Sequence, residues 1–386
     1  MKFLQRLFGK NILILVLLFF LPYELFASQK ITFRGGDFAF GWATRFQETR
    51  AFELPYIDGF TAYTAWNLIE KEEGKFDWSA LDTLIEKAKK NNKVVNIGVY
   101  PSAVPKWLFE KYDVKTFKWI KEFKEHRAIE LGKEYEERIS PLPWDKVYLR
   151  KWKDFAKVLA QRYGNNENVG YIALTGPTMR DLDMSLPIRS KELIKKFKMA
   201  GYDEDKIIKA WMEIMDFYAE VLPKKKWALA VGSLLIGEKD PWPAFKIVDY
   251  GLKKYQQNLI IMAVWLNDTW FGQGESKKIL ELIKRSQKYT ITGFQMSQSA
   301  YLNSKWKEKK PIVRSLRKSF NNGFDLGMSF IEVWHADIIL PGSNKANSEY
   351  VDDLQYMHDK LRRKISTEFI KYNGEFEEVY LKKKIP

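Results

Sequence analysis

Glu332 stands inside the apolar run SFIEVWHADI, where a carboxylate without partners would be expensive to bury. Such a residue is either held by an internal partner, such as an arginine, or put to chemical work. A second carboxyl is available in TGPTMRDLDMSLP, where Asp183 is followed by Met184 and Leu186 and Asp181 sits beside Arg180. The apolar neighbours of Asp183 point to partial burial, which raises a carboxyl's affinity for its proton. One protonated and one ionised carboxyl are the equipment of general acid–base and nucleophilic chemistry. We therefore take Glu332 and Asp183 as the candidate pair. His335 is expected to orient Glu332 or a ligand hydroxyl. Three histidines and no cysteine give little support to a metal site. Asp268, Asp337 and Glu332 could bind a hard cation, and no cofactor is expected.

These residues need elements to hold them. Strand-like apolar runs alternate with helical patterns from about residue 36 to 364, the signature of βαβ units around a parallel sheet. The runs predict strands at 37–43, 59–66, 94–100, 169–175, 227–231, 259–265, 290–296 and 329–333. Helices are expected at 81–90, 147–163, 205–221, 244–255, 277–285, 311–321 and 350–363. Eight strands predict an α/β fold, a single (β/α)8 TIM barrel, with a long insertion after the third strand at 101–143. In such a barrel, functional groups gather at the carboxyl ends of the strands. Those ends offer Trp42, Arg45, Trp66, Tyr100, Trp107, Trp265, Asn267, Gln295, Trp334 and His335.

One stretch carries a resemblance. Residues 66–108 contain WNLIEKEEGKFDWSALD, then the buried strand VVNIGVY, then PKWL. This order resembles the second and third strand–helix units of clan A glycoside hydrolases, including the β-galactosidase-like families, with Lys71 where those families usually have Pro. The resemblance implies cleavage of a β-linked oligo- or polysaccharide by two carboxyl groups. They would stand about 5–5.5 Å apart in a retaining enzyme and about 6.5–9.5 Å apart in an inverting one. It also implies that the strand-end aromatics stack on sugar C–H faces while Asn, Gln and Arg bind hydroxyls. The chain departs from the clan at both decisive places. The fourth strand runs into Thr175-Gly176-Pro177 where the clan has Asn-Glu, and the seventh ends in Gln295-Met296 where the clan has its nucleophile. The alternative reading is thus a catalytically inactive barrel that binds glycan.

Residues 1–27 read as a signal peptide, with Lys2, Arg6 and Lys10 before the apolar run 12–21 and Ala27-Ser28 after it. Residues 28–386 then form the barrel domain. The expected location is secreted, periplasmic or cell-envelope, with membrane contact only if that segment is retained as an anchor. Without cysteine, the exported fold relies on packing and hydrogen bonds. A net charge of +15 suits acidic polymers or anionic surfaces, or simply solubilises the helix exteriors. The basic residues are scattered and belong to no nucleic-acid-binding motif. The expected partner is a carbohydrate. A third reading is a membrane-tethered envelope protein whose basic surface contacts anionic polymer.

Overall fold

A computed structural model describes residues 33, 35–122, 135–179, 182–186, 190–232, 242–269, 271–273, 276–305 and 311–368. The expected signal peptide and Asp181 lie outside them. The compact unit containing the barrel begins at Phe33.

Eight parallel strands close into a barrel. They are β1 (Asp37–Trp42), β2 (Gly59–Ala65), β3 (Val94–Tyr100), β4 (Val169–Ala173), β5 (Lys226–Ala230), β6 (Leu259–Leu266), β7 (Ile291–Met296) and β8 (Phe330–Trp334). Closure comes from β1 pairing in parallel with both β2 and β8. The expected (β/α)8 architecture is observed, and Asp37–Trp42 is its first strand, so the strand count admits no shift.

Helices α1 (Ser79–Lys90), α2 (Lys146–Tyr163), α3 (Glu204–Val221), α4 (Trp242–Tyr255), α5 (Ser276–Ser286), α6 (Leu316–Asp325) and α7 (Val351–Glu368) form the outer ring. Each long helix buries one stripe. In α1 that stripe is Leu81, Leu84, Ile85 and Ala88, spaced to face the sheet. Asp77 accepts from both the backbone N–H and the hydroxyl of Ser79 at 3.0 and 2.6 Å. Asp77 thus fixes the entry to the helix from one residue before its N-cap, Trp78. Asn92, in the left-handed region at φ 54°, ends the helix. The β1–β2 connection is only two 3-10 turns, Ala43–Phe46 and Arg50–Glu53.

Two segments of the long insertion pair with each other. Thr116–Glu122 and Tyr135–Pro141 form an antiparallel ribbon. Its buried face, Phe117 and Trp119, packs with Met179, Leu186 and Phe197. Ser140 binds the backbone of the loop that follows β4, its hydroxyl donating to the Met179 carbonyl at 3.1 Å. The insertion therefore braces the loop that carries Asp183.

Candidate functional site

The inward positions of β2, β3, β4, β7 and β8 converge on Glu332. Its Oε1 accepts from the Thr61 hydroxyl at 2.9 Å and from the Tyr171 hydroxyl. Its Oε2 accepts from Tyr63 at 3.0 Å and from Gln295 Nε2 at 2.8 Å. Asn96 extends the network, donating to Thr61 Oγ1 at 3.2 Å and accepting from the Tyr171 N–H at 3.2 Å. All six side chains are buried, Glu332 completely. Burial raises the affinity of Glu332 for a proton, and hydrogen bonds from Tyr171, Gln295, Thr61 and Tyr63 oppose that push. Burial and the neighbouring Glu332 charge in turn hold the Tyr63 and Tyr171 hydroxyls protonated, so they remain donors. Polar groups satisfy this carboxyl; among the described residues no arginine, lysine or carboxylate hydrogen-bonds to it.

A lid of apolar side chains lies over the cage. In β8, Glu332 pairs with Phe38 and Gln295 in register, two residues before the strand ends. Above it Phe40, Tyr63 and Leu182 form one buried cluster flanked by Tyr100 and Trp334. Gly98 makes room for this crossing, since a Cβ there would meet the Tyr63 ring at 2.6 Å and Leu182 at 2.8 Å. Leu182 is set by its backbone, for the next-but-one N–H, that of Met184, donates to the Ala230 carbonyl at the end of β5 at 3.1 Å.

Asp183 therefore rides on a fastened loop. Its Oδ1 accepts from the Ser185 N–H at 2.8 Å, and its carbonyl accepts from Thr178 at 3.1 Å. It is half-buried, and none of the bonds that hold Glu332 comes from it. The preceding TGP segment is fixed from behind by α2. Trp152 donates to the Thr175 carbonyl at 2.8 Å and Tyr148 to the Gly176 carbonyl at 2.6 Å. Gly176 has φ 149°, a conformation that side-chain-bearing residues rarely adopt.

The remaining expected residues divide into wall supports and rim. Trp66 and Trp107 are buried in the packing behind the strands, not in a cleft. Their indole N–H groups donate to Glu70 Oε2 at 2.7 Å and to the Glu70 carbonyl at 3.1 Å, which turns both rings outward toward the helices. Glu70 also accepts from the Gly74 N–H at 2.8 Å, so the E-x-x-E turn is a staple of the fold. Asn267 is fully buried, its amide bonding the Trp265 carbonyl at 2.8 Å and accepting from Thr269. Trp265 packs against Phe271. Gln295 is part of the cage. Trp334 donates to the Met296 carbonyl at 2.9 Å and lies 4.5 Å from Phe40.

His335 bonds Thr49 at 2.8 Å. Burial and the Arg45 charge lower its pKa to about 4, so it is neutral near pH 7. Asp337, fully buried, accepts from Ser299 at 2.6 Å and from the Tyr301 N–H at 2.9 Å, and burial raises its pKa to about 7. Asp268 accepts from the Arg314 N–H at 2.8 Å. The hard-cation set is not assembled: among the described residues no three acidic or histidine side chains are placed to hold a metal. At the rim, Trp42 is 44% exposed and leans on Tyr100 with ring centroids 5.4 Å apart. Arg45, in the turn that follows β1, is exposed.

Sequence reasoning missed Thr61, Tyr63, Asn96 and Tyr171. A signal existed, because each occupies an inward phase of its strand, in the alternation that puts Phe38 and Phe40 inside.

Comparison with known proteins agrees with this architecture. Residues 42–175 match the glycoside hydrolase family 42 β-galactosidase model. β-Galactosidase LacZ of Lactobacillus acidophilus is 26% identical over 106 residues, 27% of this chain and 14% of the relative. The structure of a catalytic mutant of a family 42 β-galactosidase from G. stearothermophilus aligns at a TM-score of 0.53 and 12% identity, covering 86% of this chain and 58% of that one. A β-galactosidase from the psychrophilic Marinomonas ef1 aligns at a TM-score of 0.46 and 10% identity, over 77% of this chain and 53% of that one. This chain thus spans 14% of the curated relative and 58% and 53% of the two solved chains, less than two thirds of each. The barrel is similar to the clan A, β-galactosidase-like families, as the 66–108 string implies. The matched segment ends at Thr175, short of Asp183, Gln295 and Glu332.

Proposed function

We propose that this clan A glycoside hydrolase-like barrel binds a β-linked oligo- or polysaccharide at the carboxyl-end rim and does not cleave it with the clan's carboxyl pair. The observation that carries this reading is the state of Glu332. It is fully buried, accepts four hydrogen bonds and lies beneath Leu182. A catalytic carboxyl must reach the reacting carbon or the leaving oxygen, and this one faces only its own donors. The fourth and seventh strands support the reading, since the fourth runs on into Thr175-Gly176-Pro177 and the seventh ends in Gln295-Met296. Trp42, with an exposed ring at the rim, supplies a stacking surface for a sugar. Residues 1–27 read as an export signal, which supports binding outside the cytoplasm. A mature chain starting near Ser28 in the extracytoplasmic fraction would support that placement.

A second reading keeps hydrolysis, with Glu332 as nucleophile or base and Asp183 as acid. One observation favours it: Leu182 covers the cage and Asp183 is its neighbour, so a single movement of this loop would open Glu332 and bring a second carboxyl over it. A panel of β-linked oligosaccharides, assayed for both binding and reducing-end release, separates the two. Binding without turnover is expected. Turnover that disappears in Glu332→Gln, while the melting temperature holds, would replace the first reading with the second.

A further inference from the structure

We infer that the saccharide bound at the mouth is a glycoside whose reducing end carries an uncharged hydrocarbon group, held against a wall of aromatic rings over β8, β1, β2 and β3; this rests on the glycan-binding reading above. The wall follows from strand register. Phe40 pairs with Trp334, and Trp42 pairs with Tyr63. Tyr63 faces the interior, because its hydroxyl reaches Glu332. Its register partner on β3 is Gly98, so the next inward side chain of that strand is Tyr100. The Tyr100 ring lies 5.6 Å from that of Tyr63 and 5.4 Å from that of Trp42, centroid to centroid. Trp42 and Tyr100 stand on the strands either side of β2, and their contact crosses β2 on the interior side that Tyr63 marks. Phe40 continues the wall, 5.8 Å from Tyr63 and 4.5 Å from Trp334.

The polar handles of this wall are turned into the protein. Tyr63 donates its hydroxyl to Glu332 at 3.0 Å, and the Trp334 indole N–H goes to the Met296 carbonyl at 2.9 Å. Phe40 has no handle, nor has Leu182, which packs over both Phe40 and Tyr63 between the partly exposed rings of Tyr100 and Trp334. None of these six side chains is charged, on a chain whose net charge is +15. A buried sugar ring needs partners for its hydroxyls as well as a flat surface for its C–H face. A hydrocarbon group needs only the apolar surface. Trp42, 44% exposed at the outer end of the wall, takes the sugar ring with its hydroxyls in water, and the surface from Tyr100 across Leu182 to Trp334 takes the apolar group. One ligand, polar at the rim and apolar at the reducing end, matches both parts.

The experiment is calorimetric titration of the full chain with methyl, butyl and hexyl β-lactosides, which share one β-linked disaccharide and differ only in the hydrocarbon group. The expected result is an affinity that climbs along the series, hexyl binding about thirtyfold tighter than methyl, roughly half on a logarithmic scale of what full burial of the added methylenes would give. That ratio should not change as ionic strength rises from about 20 to about 300 mM. Tyr100→Ala and Trp334→Ala should each shrink the ratio while leaving the methyl lactoside's affinity in place. Trp42→Ala should weaken all three ligands together. Met199→Ala, which removes an apolar side chain 78% exposed on the helix Lys191–Met199, should leave the ratio intact. Equal affinity of the wild type for the three lactosides overturns the inference and leaves glycan binding standing. A ratio that survives both Tyr100→Ala and Trp334→Ala overturns it equally, because the hydrocarbon group then lies elsewhere. Failure to bind any lactoside or any member of the oligosaccharide panel overturns glycan binding itself, and the inference with it.

Discussion

Two carboxyl groups are completely buried inside this barrel's strands, and they live in opposite surroundings. Glu332, in the upper interior, accepts bonds from Thr61, Tyr63, Tyr171 and Gln295. Asp37, at the amino end of β1, has neither carboxyl oxygen hydrogen-bonded among the described residues. Its own N–H instead supports Asp58, donating to Oδ2 at 3.1 Å. Burial first, and Asp58 second, push the Asp37 pKa well up, so it is carried as the neutral acid. Asp58 itself is driven up by burial but ends lowered, through His358 at 3.4 Å, the Asp37 N–H and Arg362. The floor thus pairs one acid with His358 and the Arg362 cation of α7 and protonates the other, while the cage satisfies its acid with neutral donors. A buried acid in an apolar strand marks a site only where the facing strands supply partners, and partners can saturate it as well as activate it.

The largest expected effect breaks the cage. Glu332→Ala removes the acceptor shared by four buried donors, and unfolding by urea should show a loss of about 4 kcal/mol. A loss below about 1 kcal/mol would mean that the cage contributes no more than the floor, and the contrast between them would collapse.

The next effect is a matter of pH and lies beside β8. Asp337 binds its proton with a pKa of about 7 when folded and about 3.9 when unfolded. Between those values the folded state holds more protons, so this group's contribution to stability falls as pH rises. His335 works in reverse, since its pKa is about 4 folded and about 6.5 unfolded. Its contribution is present above pH 6.5 and is lost as pH falls toward 4. Each slope reaches at most about 1.4 kcal/mol per pH unit, and in the native protein they oppose one another. Asp337→Asn should uncover a stability that climbs from pH 4 to 6.5, and His335→Gln one that declines from pH 4 to 7. Denaturation midpoints across that range check both, and parallel curves in all three proteins would remove the pair from the account.

The barrel was legible because its elements are periodic. VVNIGVY reads as a buried strand and becomes β3, and the stripe from Leu81 to Ala88 reads as a helix face and becomes α1. The exceptional character of Glu332 was legible too, as one charge in an apolar run. Its surroundings were not, because the cage exists only when four distant strands face inward in the same layer. Taken singly, Thr61, Tyr63, Asn96 and Tyr171 are ordinary strand residues. Trp66 and Trp107 show a related limit. Position near a strand end does not say which way a ring turns, and here bonds to Glu70 turn both away from the mouth. The ribbon of Thr116–Glu122 and Tyr135–Pro141 was hidden by its charged exposed face, which masks the alternation that buries Phe117 and Trp119.

The smallest effect sharpens the contrast from the floor side. Asp37→Asn keeps the shape of the side chain and removes a carboxyl whose folded pKa is raised. Such a group costs stability above its unfolded pKa of about 3.9, because at neutral pH the folded protein must hold a proton that the unfolded chain releases. The substitution should therefore stabilise the protein, by about 1 kcal/mol at pH 7, and the gain should vanish near pH 4. The amide gives the site its own N–H donor, and the Asp58 carboxylate already takes the backbone N–H of residue 37. Urea unfolding at pH 4 and pH 7 separates the outcomes. A pH-independent loss would mean that Asp37 is held by a partner as Glu332 is, and the two acids would then differ only in their position along the barrel.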